Sequence, residues 1–184
     1  MAKMLNGVDV DKMVATIDAI KENPSLAQFQ FRSETEWVNG AHSRTKIQGF
    51  YGAGAEDTSR KKPFVIEGDE PPVLLGTNAG ANAVETVLAA LASCMAVGFA
   101  YNAAARGIKI SSLKFTLEGD VDLQGFLGIS ESVRPGYQNI RVNYRVKSDA
   151  PREKIEELCD YVQKTSPVLD IVHNGVPVTV TLEE

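Results

Sequence analysis

The stretch Thr77–Gly107, TNAGANAVETVLAALASCMAVGFAYNAAARG, constrains the fold of this chain more than any other. From Asn82 to Arg106 it supplies about seven turns of helix with no proline to interrupt them. No side chain between Glu85 and Arg106 is charged, and Ala, Leu, Val, Met and Phe fall on every face. A helix that is apolar all round is expected to be buried all round. Its length also suits a membrane span. The many Ala, Gly, Ser and Asn residues weigh instead toward the core of a soluble domain. Cys94 sits near the middle of the helix.

The rest of the chain sets the context. Its 184 residues suffice for one domain with a sizeable core, so 1–184 reads as a single domain with a helical extension over 1–25. A net charge of −5 argues against a nucleic-acid partner, which needs a basic face to neutralise phosphates. The N-terminus carries acids and no unbroken apolar run, unlike a signal peptide. Two cysteines without an export signal point to reduced thiols in the cytoplasm. No membrane partner is expected.

Along the chain, Val10, Met13, Val14, Ile17 and Ile20 recur at spacings of three and four and predict a helix over Asp9–Lys21, stopped by Asn23-Pro24-Ser25. Ala27–Val38 and Ser43–Tyr51 read as strands joined at Asn39-Gly40, a two-residue hairpin signal. Gly52–Lys62 reads as a loop and Phe64–Glu67 as a short strand. Ile110–Leu123 alternates, with a possible bulge at Gly119-Asp120. Ile140, Val142, Tyr144 and Val146 give the cleanest period of two. Asp149-Ala150-Pro151 opens another helix, with Ile155, Leu158, Cys159 and Val162 as its apolar stripe. Ser166-Pro167 reads as an N-cap and first turn of a short helix. Val176–Leu182 alternates as a final strand. Strands grouped apart from helices predict an α+β fold with a mainly antiparallel sheet.

Few residues invite chemistry. A cysteine in an Ala-rich helix behaves most often as a small core hydrophobe, and a reactive thiol needs exposure and a nearby cation. The same argument makes Cys159 a core residue, and a Cys94–Cys159 disulfide stays open. Glu85, three residues after Asn82, has the spacing of a capping box. It precedes Cys94 by nine residues, about 900° of helical rotation, so the two face opposite ways. His42 and His173 pair with no cysteine at metal-ligand spacing, so no metal is expected. The glycines of Gly49–Gly54 and Gly76–Gly80 match no phosphate loop and read as turns, and no cofactor is expected. The arginines Arg32, Arg44, Arg106, Arg134, Arg141 and Arg145 read as solvated.

Taken together, EPPVLLGTNAGANAVETVLAALASC, ARGIKISSLKFTLEGDVDLQGFLGI, VRPGYQNIRVNYRVKSDAPREKIEEL and SPVLDIVHNGVPVTVTL resemble the OsmC/Ohr family, most of all its OsmC-like branch. The resemblance runs from about Trp37 to the C-terminus. It implies an intertwined homodimer in which curved antiparallel sheets enclose two long central helices. It also implies reduction of organic hydroperoxides by two cysteines, with an Arg from the N-terminal strands and a Glu near the start of the central helix assisting. Cys94 matches the cysteine that attacks the peroxide. Arg44, within His42–Arg44, is the candidate Arg. Glu85 stands one place closer to the cysteine than the family's Glu, where this chain has Val84. The second cysteine is replaced: the CPV-like segment reads Ser166-Pro167-Val168. A hydroxyl cannot resolve a sulfenic acid into a disulfide. Recycling then requires Cys159 or an external thiol. The alternative is a non-catalytic dimer that binds an apolar small molecule.

Overall fold

The computed structural model describes residues 3–183. They form two compact units: one runs from Asp9 to Thr86, and the other joins Lys3–Val8 to the chain from Val87 onward.

A short hairpin, β1 (Met4–Leu5) and β2 (Val8–Asp9), turns at Asn6-Gly7, both with positive φ. Helix α1 (Val10–Glu22) follows, with Asp9 as its N-cap, accepting from the Lys12 backbone N–H at 3.1 Å. The predicted helix is therefore present within a residue at each end.

The predicted long hairpin is divided. Its strands break at Arg32-Ser33 and at Gln48-Gly49 into β3 (Gln30–Phe31), β4 (Glu34–Asn39), β5 (His42–Ile47) and β6 (Phe50–Gly52). Two sheets result, ordered β4-β5-β8 and β3-β6-β7, with β7 spanning Ala55–Asp57 and β8 Phe64–Gly68. The turn comprises Gly40-Ala41, one residue later than the sequence signal, because Val38 is left out of the ladder as a bulge. β7 falls where the sequence predicts loop. Its three residues pair with β6 although they carry no alternating apolar pattern.

Helix α2 (Ala83–Ala105) is the long helix predicted. It is followed by β9 (Ile110–Val121), the short α3 (Leu123–Phe126), β10 (Tyr137–Ser148), α4 (Arg152–Thr165) and α5 (Pro167–His173). β9 and β10 form a long antiparallel ribbon, with Phe115 opposite Tyr144 and Leu117 opposite Val142. One face of this ribbon covers a core built from Leu91, Met95 and Phe99 of α2 and Leu158, Cys159 and Val162 of α4. The irregularity expected at Gly119-Asp120 lies on the opposite strand, at Gln138, where the register shifts between Tyr137 and Asn139. Gly119 has a different reason to be glycine. A Cβ there would collide with the Tyr137 ring, which rests on its bare backbone.

Two further expectations fail. The long helix is not buried all round: Leu91, Met95, Phe99, Ala103 and Ala104 are buried, whereas Val97 and Tyr101 are 54% and 52% exposed. One sheet face and one helix can cover only one side of a helix. Val176–Leu182 forms no strand. Its alternation is strand-like, but a strand needs a hydrogen-bonded neighbour, and among the described residues none pairs with it.

Candidate functional site

In the second unit Cys94 opens onto an apolar cleft of about 400 Å³. α2 supplies Ser93, Val97 and Gly98, and the corner between α4 and α5 supplies Val162, Thr165, Ser166 and Pro167. Besides Cys94 itself, no titratable side chain among the described residues lines it. The thiol is partly exposed, which the core reading of Cys94 did not anticipate.

Ser166 reaches that thiol. Its Oγ donates to Cys94 Sγ at 3.3 Å and accepts from the Leu169 backbone N–H at 3.3 Å. The N-cap role read from Ser166-Pro167 is therefore present, and the same oxygen does a second job. The chain places the serine there because Pro167 starts α5 directly after α4 ends, turning residue 166 back toward α2. Ser166 is 6% exposed, so the contact is largely shielded from water.

The second sulfur lies elsewhere. Cys159 is buried in the core and does not line the Cys94 cleft. Burial pushes its thiol pKa up, opposed by a hydrogen bond with Tyr144. Tyr144 is itself pushed up, first by burial and then by its hydrogen bond to Cys159. Both cysteines are free, so the open possibility of a disulfide between them is not realised. The core reading of Cys159 agrees with its burial.

The first unit holds the other two candidates. The register of β5 and β8 sets Arg44 opposite Glu67. Arg44 Nε donates to Glu67 Oε1 at 2.8 Å, and His42 Nε2 meets Glu67 Oε2 at 2.7 Å. These contacts, the arginine's first and the histidine's second, hold the Glu67 carboxyl below the usual range. Arg44 is thus paired while its side chain stays 44% exposed, in keeping with the solvated reading. Glu85 closes the capping box as its spacing predicts: its Oε2 accepts from the Asn82 backbone N–H at 2.9 Å, and Asn82 Oδ1 accepts from Val84 N–H at 2.8 Å.

Leading into that cap is a feature the sequence reading missed. Asp69 is 3% exposed and accepts four hydrogen bonds. They come from Glu70 N–H (2.8 Å), Thr77 N–H (3.0 Å), Thr77 Oγ1 (2.6 Å) and Ala79 N–H (3.0 Å). This network, led by the Thr77 hydroxyl and the Ala79 amide, holds the carboxyl far below the usual range. Gly80 packs so close that a Cβ would collide with the Glu67 carbonyl oxygen. In sequence, Gly68-Asp69-Glu70-Pro71-Pro72 shows only a turn, because the donors arrive from up to ten residues later.

The family model for OsmC-like proteins matches residues 76–181, a span holding both the Cys94 helix and the Ser166 corner. The chain belongs to the OsmC-like family. Solved structures agree on the fold. An OsmC-like protein from Mycoplasma pneumoniae superposes with a TM-score of 0.61 at 16% identity, covering 79% of this chain and 89% of its own. The organic hydroperoxide resistance protein OsmC of Legionella pneumophila gives 0.55 at 12%, covering 79% and 90%. An organic hydroperoxide resistance protein from Elizabethkingia anophelis gives 0.54 at 14%, covering 81% and 91%. No curated protein sequence matches this chain. The α+β, mainly antiparallel OsmC-like fold expected from sequence is therefore the fold observed. As expected of an OsmC-like chain, the long helix packs its buried stripe on an antiparallel ribbon.

Proposed function

We propose that this OsmC-like protein is a one-cysteine thiol peroxidase acting on organic hydroperoxides in oxidative-stress defence. The observation that carries the reading is the hydrogen bond from Ser166 Oγ to Cys94 Sγ inside an apolar, partly open cleft. The hydroxyl holds the sulfur at a fixed place in the cleft, where a peroxide oxygen can reach it. The apolar walls suit an alkyl chain.

In this reading the Cys94 thiolate attacks the distal oxygen of ROOH. The O–O bond breaks, the distal OH stays on sulfur as a sulfenic acid, and the alkoxide leaves as ROH after taking up the proton that the Cys94 thiol gave up on ionising. Ser166 cannot close a disulfide, and Cys159 is sealed in the core with its thiol proton held. An external thiol therefore attacks the sulfenic sulfur, expelling water and leaving a mixed disulfide. A second thiol releases Cys94 and departs as the external disulfide. Arg44, held by Glu67, is the proposed activating cation, and Glu85 the residue that fixes the start of α2. The proposed setting is a cytoplasmic homodimer. Its support is an uncharged exposed stripe on α2, Ala90, Ser93, Val97, Tyr101 and Ala105, spaced three or four residues apart.

The test is single-turnover oxidation by cumene hydroperoxide, read with a sulfenic-acid trap and mass spectrometry. Wild type is expected to form one sulfenic acid at Cys94, which excess small thiol clears. Cys94→Ser forms none. Arg44→Gln slows formation about tenfold or more, the scale of a lost charge-assisted contact. An inert Cys94 in the wild type overturns the peroxidase reading. It favours the second reading, a non-catalytic binder of an apolar small molecule, which the same uncharged cleft also suits.

A further inference from the structure

A second cleft, of about 540 Å³, lies in the second unit and has no part in the chemistry of Cys94. Its size falls among small-molecule sites. Val87 and Leu91 of α2, Ile140 and Val142 of β10, and Leu169 and Val172 of α5 give it an apolar floor. Its remaining lining is polar: Arg134, Tyr137, Gln138, Asn139 and His173. Among the described residues no acidic one lines it.

Three features make this more than a fold in the surface. First, Arg134 differs from most of the other arginines. Arg32, Arg44, Arg141 and Arg152 each pair with a carboxylate, and Arg106 lies over the Tyr161 ring. Among the described residues no carboxylate pairs with Arg134. Second, the register shift at Gln138 turns the strand so that four consecutive residues, Tyr137 to Ile140, reach the same cleft. An unbroken strand sends neighbours to opposite faces, and bulges that re-aim side chains recur next to functional sites. Third, Gly119 leaves the space in which the Tyr137 ring rests, fixing that wall.

We propose that this cleft binds an amphipathic carboxylate. The apolar floor takes a hydrocarbon body, and the Arg134 guanidinium, which lines the same cleft, takes the carboxylate. A guanidinium fork matches a carboxylate in a two-point contact. A phosphate ester would call for more donors, and among the described residues no glycine lines this cleft. An ammonium headgroup is repelled by Arg134. The site is separate from the Cys94 cleft and does not depend on its chemistry.

The test is calorimetric titration of the full chain with octanoate, octan-1-ol, octylammonium and octyl phosphate. Octanoate is expected to saturate one site per chain, at least about tenfold more tightly than octan-1-ol, the factor a charge-assisted contact supplies. Arg134→Met, at an exposed loop position, is expected to remove that advantage and leave octan-1-ol binding unchanged. Cys94→Ser is expected to bind octanoate as wild type does. The proposal is overturned by equal binding of octanoate and octan-1-ol, by an Arg134→Met protein that binds octanoate normally, or by stronger binding of octyl phosphate or octylammonium. Loss of octanoate binding in Cys94→Ser places the ligand at the other cleft and overturns it too. So does an absence of octanoate binding up to about 1 mM, a standard free energy weaker than about −4 kcal/mol.

Discussion

At the scale of single residues, the molecule turns on one oxygen. Ser166 Oγ is at once the N-cap of α5 and a donor to Cys94. Its two jobs separate under mutation. Ser166→Ala loses the cap, which costs about 1 kcal/mol, and a melting temperature lower by about 2–4 °C follows for a chain of this size. It also loses the donor to sulfur, and sulfenic-acid formation is expected to slow by about tenfold or more, as hydrogen bonds to charged groups weigh. Ser166→Cys is the sharper variant. With an O···S separation of 3.3 Å in wild type, the introduced sulfur lies within a side-chain rotation of Cys94. Peroxide treatment is then expected to leave a disulfide between Cys94 and the introduced thiol, identified by peptide mapping, with Cys159 still free. A mapped Cys94–Cys159 disulfide instead contradicts the placement of Cys159 in the core. How legible was this from the chain alone? Ser166-Pro167 announces a cap, and the family resemblance marks the position as that of a second cysteine. The contact itself joins residues 72 apart, and no local pattern encodes such a separation. The Arg44–Glu67 pair was hidden for a similar reason, since it follows from the register of β5 on β8, and register is fixed by the assembled sheet.

At the scale of elements, composition and period two or 3.6 were enough wherever one face of an element is buried by its neighbours. That covers α4 and the β9–β10 ribbon; α1 and α2 also form where predicted, although α1 buries only Val10 and α2 only one of its faces. They failed where other forces decide. β7 is too short and too polar to show a pattern, and Val176–Leu182 has the pattern without a neighbour. The segment between β8 and α2 is held by the Asp69 carboxylate rather than by hydrophobic contacts. Because folding lowers the pKa of this carboxyl, its contribution to stability is fully present above the unfolded value of 3.8. It is lost as pH falls below that value toward the folded pKa. Asp69→Asn faces the same backbone N–H groups with an uncharged amide that offers one accepting oxygen. At neutral pH its melting temperature is expected to drop by several degrees, and the fall in stability below about pH 4 becomes shallower than in wild type. An Asp69→Asn protein with an unchanged acid limb removes Asp69 from the account of acid stability. Gly119→Ala tests the ribbon in the same way. The added methyl must displace the Tyr137 ring, so both a lower melting temperature and weaker octanoate binding are expected, with Cys94 oxidation unaffected.

At the scale of the whole molecule, the exposed side of α2 is the quantity to explain. The helix has a mean hydropathy of 1.8 over its most apolar window, yet only 17% of that window is buried within one chain. Ala90, Ser93, Val97, Tyr101 and Ala105 lie opposite the buried stripe Leu91, Met95, Phe99 and Ala103, and none of them is charged. Such a face in water carries a hydrophobic cost of roughly 25 cal/mol per Å² of apolar surface. Ala90, Ser93 and Ala105 are small enough to let a second helix approach, Val97 and Tyr101 supply apolar area to bury, and a second copy of the chain carries the same self-complementary stripe. The proposed homodimer buries this face, and the test is to charge it. Tyr101→Glu sits a turn and more from Cys94, outside its cleft. Sedimentation velocity is expected to show wild type at twice the mass of one chain and Tyr101→Glu shifted toward one. The melting temperature of wild type should also rise with protein concentration, and that of a monomeric variant should not. If Cys94 of the monomeric variant still forms a sulfenic acid at the wild-type rate, one chain contains the whole reactive centre. If the rate falls with dissociation while circular dichroism stays native, the second copy completes it. A wild-type chain that sediments as a monomer across the micromolar range contradicts the dimer, and the apolar stripe of α2 then requires a different partner.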